Sequence, residues 1–457
     1  MVAQVLASRA VVCVMLVAWC ARAHADGIVI AGGSPRAIGR AGVGTASDDG
    51  GGALLLNPAA LARRDAKRAQ VGVALVDDSV EWIHSAGSPV ARDQSGSSTL
   101  PLVAAEGAWG EWVLGAGAMT SAVSERALRE PGSIDGAHYG NAFEYRYIGM
   151  VGSLRRDTVS LGVARRFGDA VALGVAIAGS RVSVGEKRAL WAGFVDRKDV
   201  IGDPDHDVEV ALTAEDTLSP SAVAGILVAP ADTRVELAAS VGWAATAHTA
   251  GEIGAAGVSS KVGAQLASPS ATLDIREPIT VRTGARWLGE HLIAEVNADL
   301  WIFSEAANTQ TWRLTGVRIV DASNFGVPLT TLPSRISERT HGALRGALDL
   351  ELIGGFLWAT CGYAYTSSGT GRERRSTTFG DLSGHTVGLG LEANAGGFTF
   401  TLGWARTWSV KRPEQYSVWR LDNPFHAGDA TVPNGTYDAS SDLVGISIDA
   451  EFDAPTP

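Results

Sequence analysis

Long stretches of this chain alternate between apolar residues and small or polar residues. The clearest are 398–405, Phe-Thr-Phe-Thr-Leu-Gly-Trp-Ala, and 444–452, Val-Gly-Ile-Ser-Ile-Asp-Ala-Glu-Phe. A period of two places the apolar side chains on one face of an extended strand, whereas an amphipathic helix has a period of about 3.6. After residue 25 no run of about 18 uncharged apolar residues occurs, which a membrane-spanning helix would need. The chain is therefore predicted to be all-β.

The connections between these strands differ in length in a regular way. Tight turns join the strands in pairs, and a long polar segment follows each pair. The tight turns are predicted at Gly110-Glu111, Gly168-Asp169, 230–233, Gly289-Glu290, Gly354-Gly355 and Gly396-Gly397. The long segments are predicted to be loops at 121–142, 185–217, 248–277, 304–340 and 411–439.

The turns divide the chain into 14 predicted strands. They are placed at 69–84, 100–109, 112–120, 157–167, 170–184, 219–229, 234–247, 279–288, 291–303, 341–353, 356–368, 385–395, 398–410 and 441–452. Short turns on one rim, long loops on the other and an even strand number are typical of a bacterial outer-membrane barrel. Residues 67–452 are therefore predicted to form a 14-stranded antiparallel transmembrane β-barrel.

The turn at Gly396-Gly397 allows a test, because a two-residue turn fixes which residues face each other across the hairpin. Leu391 is expected opposite Leu402, and Glu392 opposite Thr401. Apolar residues then meet apolar residues on one face, and polar residues meet on the other. This matching indicates that the two faces of the hairpin lie in different surroundings, one apolar and one polar.

The hairpin around Gly289-Glu290 predicts what lies inside the barrel. A two-residue turn there places Trp287 opposite Leu292 and Val281 opposite Ala298. The other face then carries charges, which lipid would reject but a hydrated or charge-paired lumen would accept. This predicted lumen cluster consists of Arg282, Arg286, Glu295 and Asp299.

The N-terminus predicts export. Arg9 precedes an apolar run, and Ala23-His24-Ala25 has small residues at both positions that determine cleavage, so residues 1–25 are predicted to be a signal peptide. Cys361 is then the only cysteine of the exported chain, which excludes an internal disulfide. A formal net charge of −11 argues against nucleic-acid binding, which depends on basic patches.

Residues 26–66 do not alternate and are rich in Gly and Ala, so they are predicted to form a separate N-terminal plug segment. Asn57 is a good N-cap and Pro58 a good first residue for a short helix that continues through Ala59. Residues 453–457 are predicted to be a C-terminal tail.

The plug segment resembles that of the FadL-type long-chain fatty acid transporters of the bacterial outer membrane, a family that includes aromatic-hydrocarbon channels. The matching residues follow the family's order: Ser34, Arg36-Ala37, Gly39-Arg40-Ala41, Ala46, Asp48-Asp49, Asn57-Pro58-Ala59 and Leu61. Weaker similarities recur at 218–220, 278–287, Leu300-Trp301 and 440–445. The chain departs from the family at Leu54-Leu55-Leu56, where an aromatic residue is usual, and at Gly50-Gly51-Gly52.

The resemblance implies a barrel whose lumen is plugged by the N-terminal segment, in the outer membrane of a Gram-negative bacterium. A hydrophobic ligand, a long-chain fatty acid or an aromatic hydrocarbon, would leave an internal pocket through a lateral gap in the wall. Such transport needs neither a catalytic group nor a cofactor, because burying each methylene gains about 0.8 kcal/mol.

The resemblance also suggests residues and partners. In the plug, Asn57, Pro58 and Ala59 are expected to control gating. Expected partners are the hydrophobic ligand, outer-membrane lipids and lipopolysaccharide, and the barrel assembly machinery. The candidates to line the ligand pocket are Ile28, Val29, Ile30, Leu54, Leu55 and Leu56. In the alternative interpretation, each of them only packs inside the barrel.

Two other functions stay open on the sequence alone. One is a scaffold for secretion or surface assembly without its own ligand. The other is an outer-membrane lipid-modifying enzyme, although no Gly-x-Ser-x-Gly, His-Glu-x-x-His or His-x-Ser pattern occurs. The segment 203–207 is similar to the start of a calcium loop, but Val208 and Ala214 stand where Gly and Glu are required, so no metal site is expected.

Overall fold

The computed structural model describes most of the chain after the predicted signal peptide. The described residues are 34–63, 66–83, 90–128, 141–194, 199, 202–371, 374–379, 383–409, 412–414, 421–426 and 435–452. The signal peptide, the candidates Ile28, Val29 and Ile30, and the predicted tail lie outside them.

In the part of the chain that the structure describes, helices are few and short. The α-helices are α1 (Pro35–Gly39) and α2 (Ala53–Leu56), and the 3-10 helices are η1 (Pro58–Arg63), η2 (Asn141–Tyr147), η3 (Pro204–His206) and η4 (Glu305–Thr309). Among the described residues, no helix is long and apolar enough to cross a membrane.

Strands make up most of the described chain. They are β1 (Lys67–Ile83), β2 (Ala91–Arg92), β3 (Ser98–Trp109), β4 (Trp112–Ala127), β5 (Val151–Phe167), β6 (Val171–Trp191), β7 (Asp207–Val228), β8 (Val235–Ala244), β9 (Ala247–Gly257), β10 (Val262–Ile275), β11 (Ile279–Leu288), β12 (Leu292–Ile302), β13 (Thr311–Asp321), β14 (Gly326–Pro328), β15 (Thr331–Pro333), β16 (His341–Ile353), β17 (Leu357–Thr366), β18 (Gly384–Ala395), β19 (Phe398–Ser409), β20 (Arg412–Glu414) and β21 (Gly435–Phe452).

All of these strands belong to one antiparallel sheet that closes on itself. Closure occurs where β1 pairs with β21 along its whole length, from Lys67 opposite Phe452 to Ile83 opposite Thr436. β8 and β9 are two halves of one wall strand, as are β10 and β11 and also β12 and β13, while the short strands β2, β14, β15 and β20 lie outside the wall. The wall therefore has 14 strands, and the predicted all-β barrel is confirmed.

The six tight turns occur where the sequence predicts them, and they all lie at one rim, which we call the short-turn rim. Gly396 and Gly397 both have positive φ, 58° and 83°, as a type I′ turn requires. Leu391 pairs with Leu402 and Glu392 with Thr401, as predicted. We call the opposite rim the long-loop rim.

The hairpin at Gly289-Glu290 differs from the prediction by two residues. Trp287 pairs with Ala294 and Val281 with Leu300, because the connection between Leu288 and Ile293 is longer than two residues. A shift of two residues leaves each side chain on its original face, since side chains in a strand alternate. The predicted pairs were wrong, but the predicted faces are unaffected.

Three segments predicted to be loops contain long stretches of strand. β6 and β7 extend into 185–217, β9 and β10 occupy most of 248–277, and β13 lies within 304–340. These extensions have charged outward side chains, such as Glu215 and Arg313. Their composition therefore resembles that of a solvated loop, although their backbone continues the sheet towards the long-loop rim.

The wall is apolar outside and polar inside. Outward-facing Val296, Leu344 and Ile446 are 57%, 65% and 54% exposed, whereas inward-facing Glu295 and Asn297 are 1% and 2% exposed. Along β12, outward apolar residues extend over all 11 residues of the strand. A tilted strand of that length spans about 25 Å, which is the height of a lipid-facing apolar belt.

We expect Ile446→Arg to lower the free energy of unfolding in lipid vesicles by about 2–4 kcal/mol, because a guanidinium on the lipid face is unfavourable near the bilayer midplane. The control Thr436→Arg lies on the same face of β21 at its long-loop end. It should change stability much less. Urea titration in vesicles measures both, and equal effects would show that this face does not contact lipid.

Candidate functional site: the plugged lumen and its cavity

The plug, described here over residues 34–63, packs against glycines on the inner face of the wall. Gly174 on β6 lies against the backbone of Pro58 and Ala59, and Gly362 on β17 lies against the backbone of Arg40. A Cβ at either glycine would overlap the plug backbone. Gly388 and Gly403 approach the plug backbone in the same way, and Gly225 lies against the side chain of Asn57. We call these glycines the glycine seat. The sequence analysis did not predict it, although the glycines fall at inward positions of strands whose residues alternate.

Asn57 both starts a helix and ties the plug to the wall. Its Oδ1 accepts a hydrogen bond from the backbone N–H of Ala59 at 3.2 Å, as an N-cap does. Its Nδ2 donates to the carbonyl oxygens of Thr45 at 3.0 Å and Ile226 at 3.2 Å. The helix that follows, η1, starts at Pro58 as predicted, and it is a 3-10 helix.

The first turn of the plug is fixed by Ser34 and Asp48. The Ser34 hydroxyl accepts from the N–H of Ala37 at 3.2 Å, which caps α1, and donates to Asp48 Oδ2 at 2.8 Å. Burial raises the pKa of Asp48, and the hydrogen bond from Ser34 opposes this rise. This contact joins residue 34 to residue 48 within the plug.

Arg40 connects the plug to two wall strands by ion pairs. Its Nη2 lies 3.0 Å from Glu295 Oε2 on β12, and its Nε lies 3.2 Å from Asp349 Oδ1 on β16. All three side chains are at most 7% exposed. Glu295 Oε1 also accepts from the backbone N–H of Ala46 at 3.0 Å. Because a buried charge without a partner is strongly destabilising, this triad holds the plug in one position.

A second buried pair holds the end of the plug. Arg63 lies 2.7 Å from Glu236 on β8, and Arg286 on β11 lies 3.3 Å from the same carboxylate. Arg36 makes a more accessible pair with Glu392, 3.3 Å away, in which the side chains are 25% and 22% exposed. These three sets of charges link the plug to the inner face of the wall.

A cavity of about 250 Å³ lies on the long-loop side of the plug. The order of contacts along β6 shows its place. Gly174 touches the plug, Ser180 and Val182 line the cavity, and Val184 and Leu190 belong to an apolar cluster closer to the long-loop rim. The cavity therefore lies between the plug and this cluster.

Of the predicted ligand-lining residues that the structure describes, two line the cavity and one does not. Leu55 and Leu56 line the cavity. Leu54 does not, because its side chain packs against the wall at Gly117 and Gly162. The cavity also has aromatic surface from Trp301 and Phe303.

Of the four residues of the predicted lumen cluster, two line the cavity and two do not. Arg282 and Asp299 line the cavity, whereas Arg286 and Glu295 lie lower in the barrel and pair with other groups around the plug. In the cavity, Arg345 Nε lies 2.8 Å from Asp299 Oδ2. Arg282 donates to the Thr280 hydroxyl at 3.2 Å and to the carbonyl of Leu55 at 3.4 Å.

The cavity can therefore hold a small, mainly apolar molecule beside a few charged groups that are engaged with the protein. Arg156 and Glu277 form a further ion pair on its lining. In the described part of the chain, no group of three or more His, Cys, Asp or Glu side chains is placed to bind a metal.

Comparison with solved structures shows the same fold in a FadL homologue and in two toluene transporters. A Pseudomonas aeruginosa FadL homologue has a TM-score of 0.68 at 15% identity and covers 93% of this chain and 100% of its own. The P. putida toluene transporter TodX has a TM-score of 0.65 at 13% identity, covering 93% and 99%. The Ralstonia pickettii toluene transporter TbuX has a TM-score of 0.61 at 13% identity, covering 92% and 99%. No protein-family profile and no curated protein sequence matches the chain.

We expect Arg40→Met to loosen the plug while the wall stays folded, because Glu295 and Asp349 would be left buried without a base. Such a loss costs about 3–5 kcal/mol. The matched control, Arg36→Met, removes a partly exposed pair worth about 1 kcal/mol or less. Hydrogen–deuterium exchange of residues 34–63 should rise in the first variant only. Unchanged exchange in Arg40→Met would mean that the glycine seat holds the plug without the ion pairs.

Proposed function

We propose that this protein is an outer-membrane transporter that passes hydrophobic small molecules, long-chain fatty acids or aromatic hydrocarbons, passively through a plugged barrel. The observation that carries the proposal is the cavity between the plug and the apolar cluster, lined by Leu55, Leu56, Val182, Trp301 and Phe303. It is a mainly apolar compartment inside a wall whose outer belt suits lipid.

The proposed membrane position follows from the outward side chains. An apolar belt about 25 Å high matches the hydrocarbon layer that such barrels span. The short-turn rim then faces the periplasm and the long-loop rim the outside, where lipopolysaccharide surrounds the strand extensions. Outer-membrane lipids and the barrel assembly machinery are the corresponding partners.

In the proposed mechanism, the ligand partitions from water into the cavity and no chemical reaction takes place. An apolar molecule that leaves water for the cavity gains free energy in proportion to the area it buries. The plug blocks the direct path to the periplasm, since the Arg40 triad and the glycine seat fill the lumen below the cavity. A ligand therefore leaves sideways, or the plug moves.

Two further considerations favour transport. The shared fold includes a FadL homologue and two toluene transporters, which makes hydrophobic ligands the first class to test. A scaffold without a ligand has no use for a lined cavity above its plug. Neither a lipid-modifying enzyme nor a scaffold has a specific observation in its favour.

We expect Ser221→Trp to stop the uptake of radiolabelled oleate and toluene by cells, because residue 221 lines the cavity and an indole would fill it. The control Ala224→Trp places the same side chain on the outer face of β7, where residue 224 is exposed. Its uptake should equal that of the wild type. Both variants are compared at equal amounts of folded barrel, judged by unheated gel mobility. Normal uptake by Ser221→Trp would count against the cavity as the ligand compartment.

A further inference from the structure

One arginine on the cavity lining has no acid beside it. Arg282 lies on β11 and faces the lumen, where it is partly accessible from the cavity. Its Nη1 donates to two neutral acceptors, the Thr280 hydroxyl at 3.2 Å and the carbonyl of Leu55 at 3.4 Å. In the described part of the chain, no carboxylate lies within ion-pair distance of its guanidinium. The charge of Arg282 is therefore not compensated by direct contact with a described acid.

The acid opposite Arg282 is engaged by another base. Asp299 on β12 is the ladder partner of Arg282, but its Oδ2 lies 2.8 Å from Arg345 Nε on β16. Its Oδ1 is buried and accepts no hydrogen bond from any described residue. Two bases thus share one acid along the row Arg282, Asp299 and Arg345, which we call the charged row. The charged row carries one positive charge in excess.

The other bases on the cavity lining are paired or exposed elsewhere. Arg156 forms an ion pair with Glu277. Arg276 is exposed, and its Nη1 donates to a threonine hydroxyl at 3.4 Å. Arg345 is held by the acid of the charged row. Arg282 is therefore the base whose charge a ligand in the cavity can compensate.

A negatively charged group of a ligand would complete the charged row. A base without a counter-charge is unfavourable in the low-dielectric interior of a barrel. Glu338 also lies on the lining, but the acid whose charge acts on Arg282 is Asp299. One excess positive charge matches one negative charge, and a carboxylate fits the planar fork of a guanidinium by two parallel hydrogen bonds. The charged row therefore favours a ligand with a single carboxylate.

Aromatic side chains continue the lining from the charged row. The His341 ring stacks on that of Trp301, with 4.8 Å between the ring centres, and on that of Phe303, with 5.8 Å. We call these three rings the aromatic stack. The Arg345 guanidinium lies 5.9 Å from the centre of the Trp301 ring. Arg282 and Trp301 are diagonal neighbours across the β11–β12 ladder, a relation that places residues about 7–8 Å apart. A carboxylate on Arg282 and a ring beside Trp301 can thus belong to one small molecule.

The size of the cavity favours a compact ligand. Its volume of about 250 Å³ is below the range of about 300–1,000 Å³ that is usual for pockets of drug-sized ligands. A long alkyl chain would extend beyond this space, whereas a single substituted ring would be enclosed. Leu55, Leu56 and Val182 supply apolar surface for the substituents of such a ring.

We infer that the cavity takes a compact aromatic carboxylate, whose carboxylate pairs with Arg282 and whose ring lies beside the aromatic stack. The inference rests on the proposed role of the cavity as the ligand compartment, and it narrows the class of ligand. Arg282 then determines specificity, because it separates an aromatic acid from a neutral arene of the same shape.

Binding of an acid and its neutral counterpart tests the inference. Isothermal titration calorimetry on the full-length barrel in lipid nanodiscs, at neutral pH, compares 4-tert-butylbenzoate with 4-tert-butylbenzamide, which has nearly the same shape and no charge. We expect the acid to bind about 10-fold more tightly than the amide, because its hydrogen bonds to Arg282 are charge-assisted. Arg282→Met should abolish this preference by weakening the acid only, and Arg282→Lys should restore part of it. Equal affinities of the wild type for acid and amide would overturn the inference, as would an unchanged affinity of Arg282→Met for the acid.

A control variant and three further probes make the result specific. Arg313→Met removes a base that is 62% exposed on the outer surface, so both affinities should stay at the wild-type value. Octanoate and oleate test the aromatic part, and binding of either as tight as that of the aromatic acid would overturn the proposed ligand class. If toluene and the amide bind but Arg282→Met changes nothing, the cavity stays the ligand compartment and the carboxylate site is wrong. If no probe binds to barrel shown to be folded by unheated gel mobility, the ligand compartment and the inference are both wrong.

Discussion

The closed hydrogen-bond ladder is the constraint on which the rest of this structure depends. A backbone in lipid must satisfy its polar groups internally, and a barrel does so only when its first and last strands pair. β1 and β21 meet this requirement along all of β1. Because the wall is complete by itself, its interior need not form an apolar core. The lumen is therefore free to hold a plug, charges and a cavity.

The interior shows how a barrel can use buried charge. Arg40, Glu295 and Asp349 would be unfavourable in an ordinary core, but here they join the plug to the wall by one base between two acids. The inward glycines, such as Gly174 and Gly362, let the plug backbone approach the strands directly. Ion pairs and close backbone packing together give the plug one position.

The ladder is not continuous everywhere along the wall. Between the strand formed by β8 and β9 and the strand formed by β10 and β11, pairing stops over residues 243–246 and 276–279 and resumes in the same register. The cavity lining includes Trp243, Ala244, Glu277 and Pro278 from this stretch. Unpaired backbone at membrane depth is tolerated where it lines a cavity.

The sequence by itself determined the strand number, the rim that carries the tight turns and the face of each side chain. These depend on local signals: alternation, glycine turns such as Gly396-Gly397 and the length of each connection. A two-residue error in register at Gly289-Glu290 did not change the faces. Only the tertiary structure decided that Leu55 and Leu56 line the cavity while Leu54 does not, that Arg40 meets Glu295, 255 residues away, and that pairing in the wall stops over residues 243–246 and 276–279. The physical reason is that the stagger of a closed barrel sets the depth of each inward side chain, and stagger accumulates over all 14 strands.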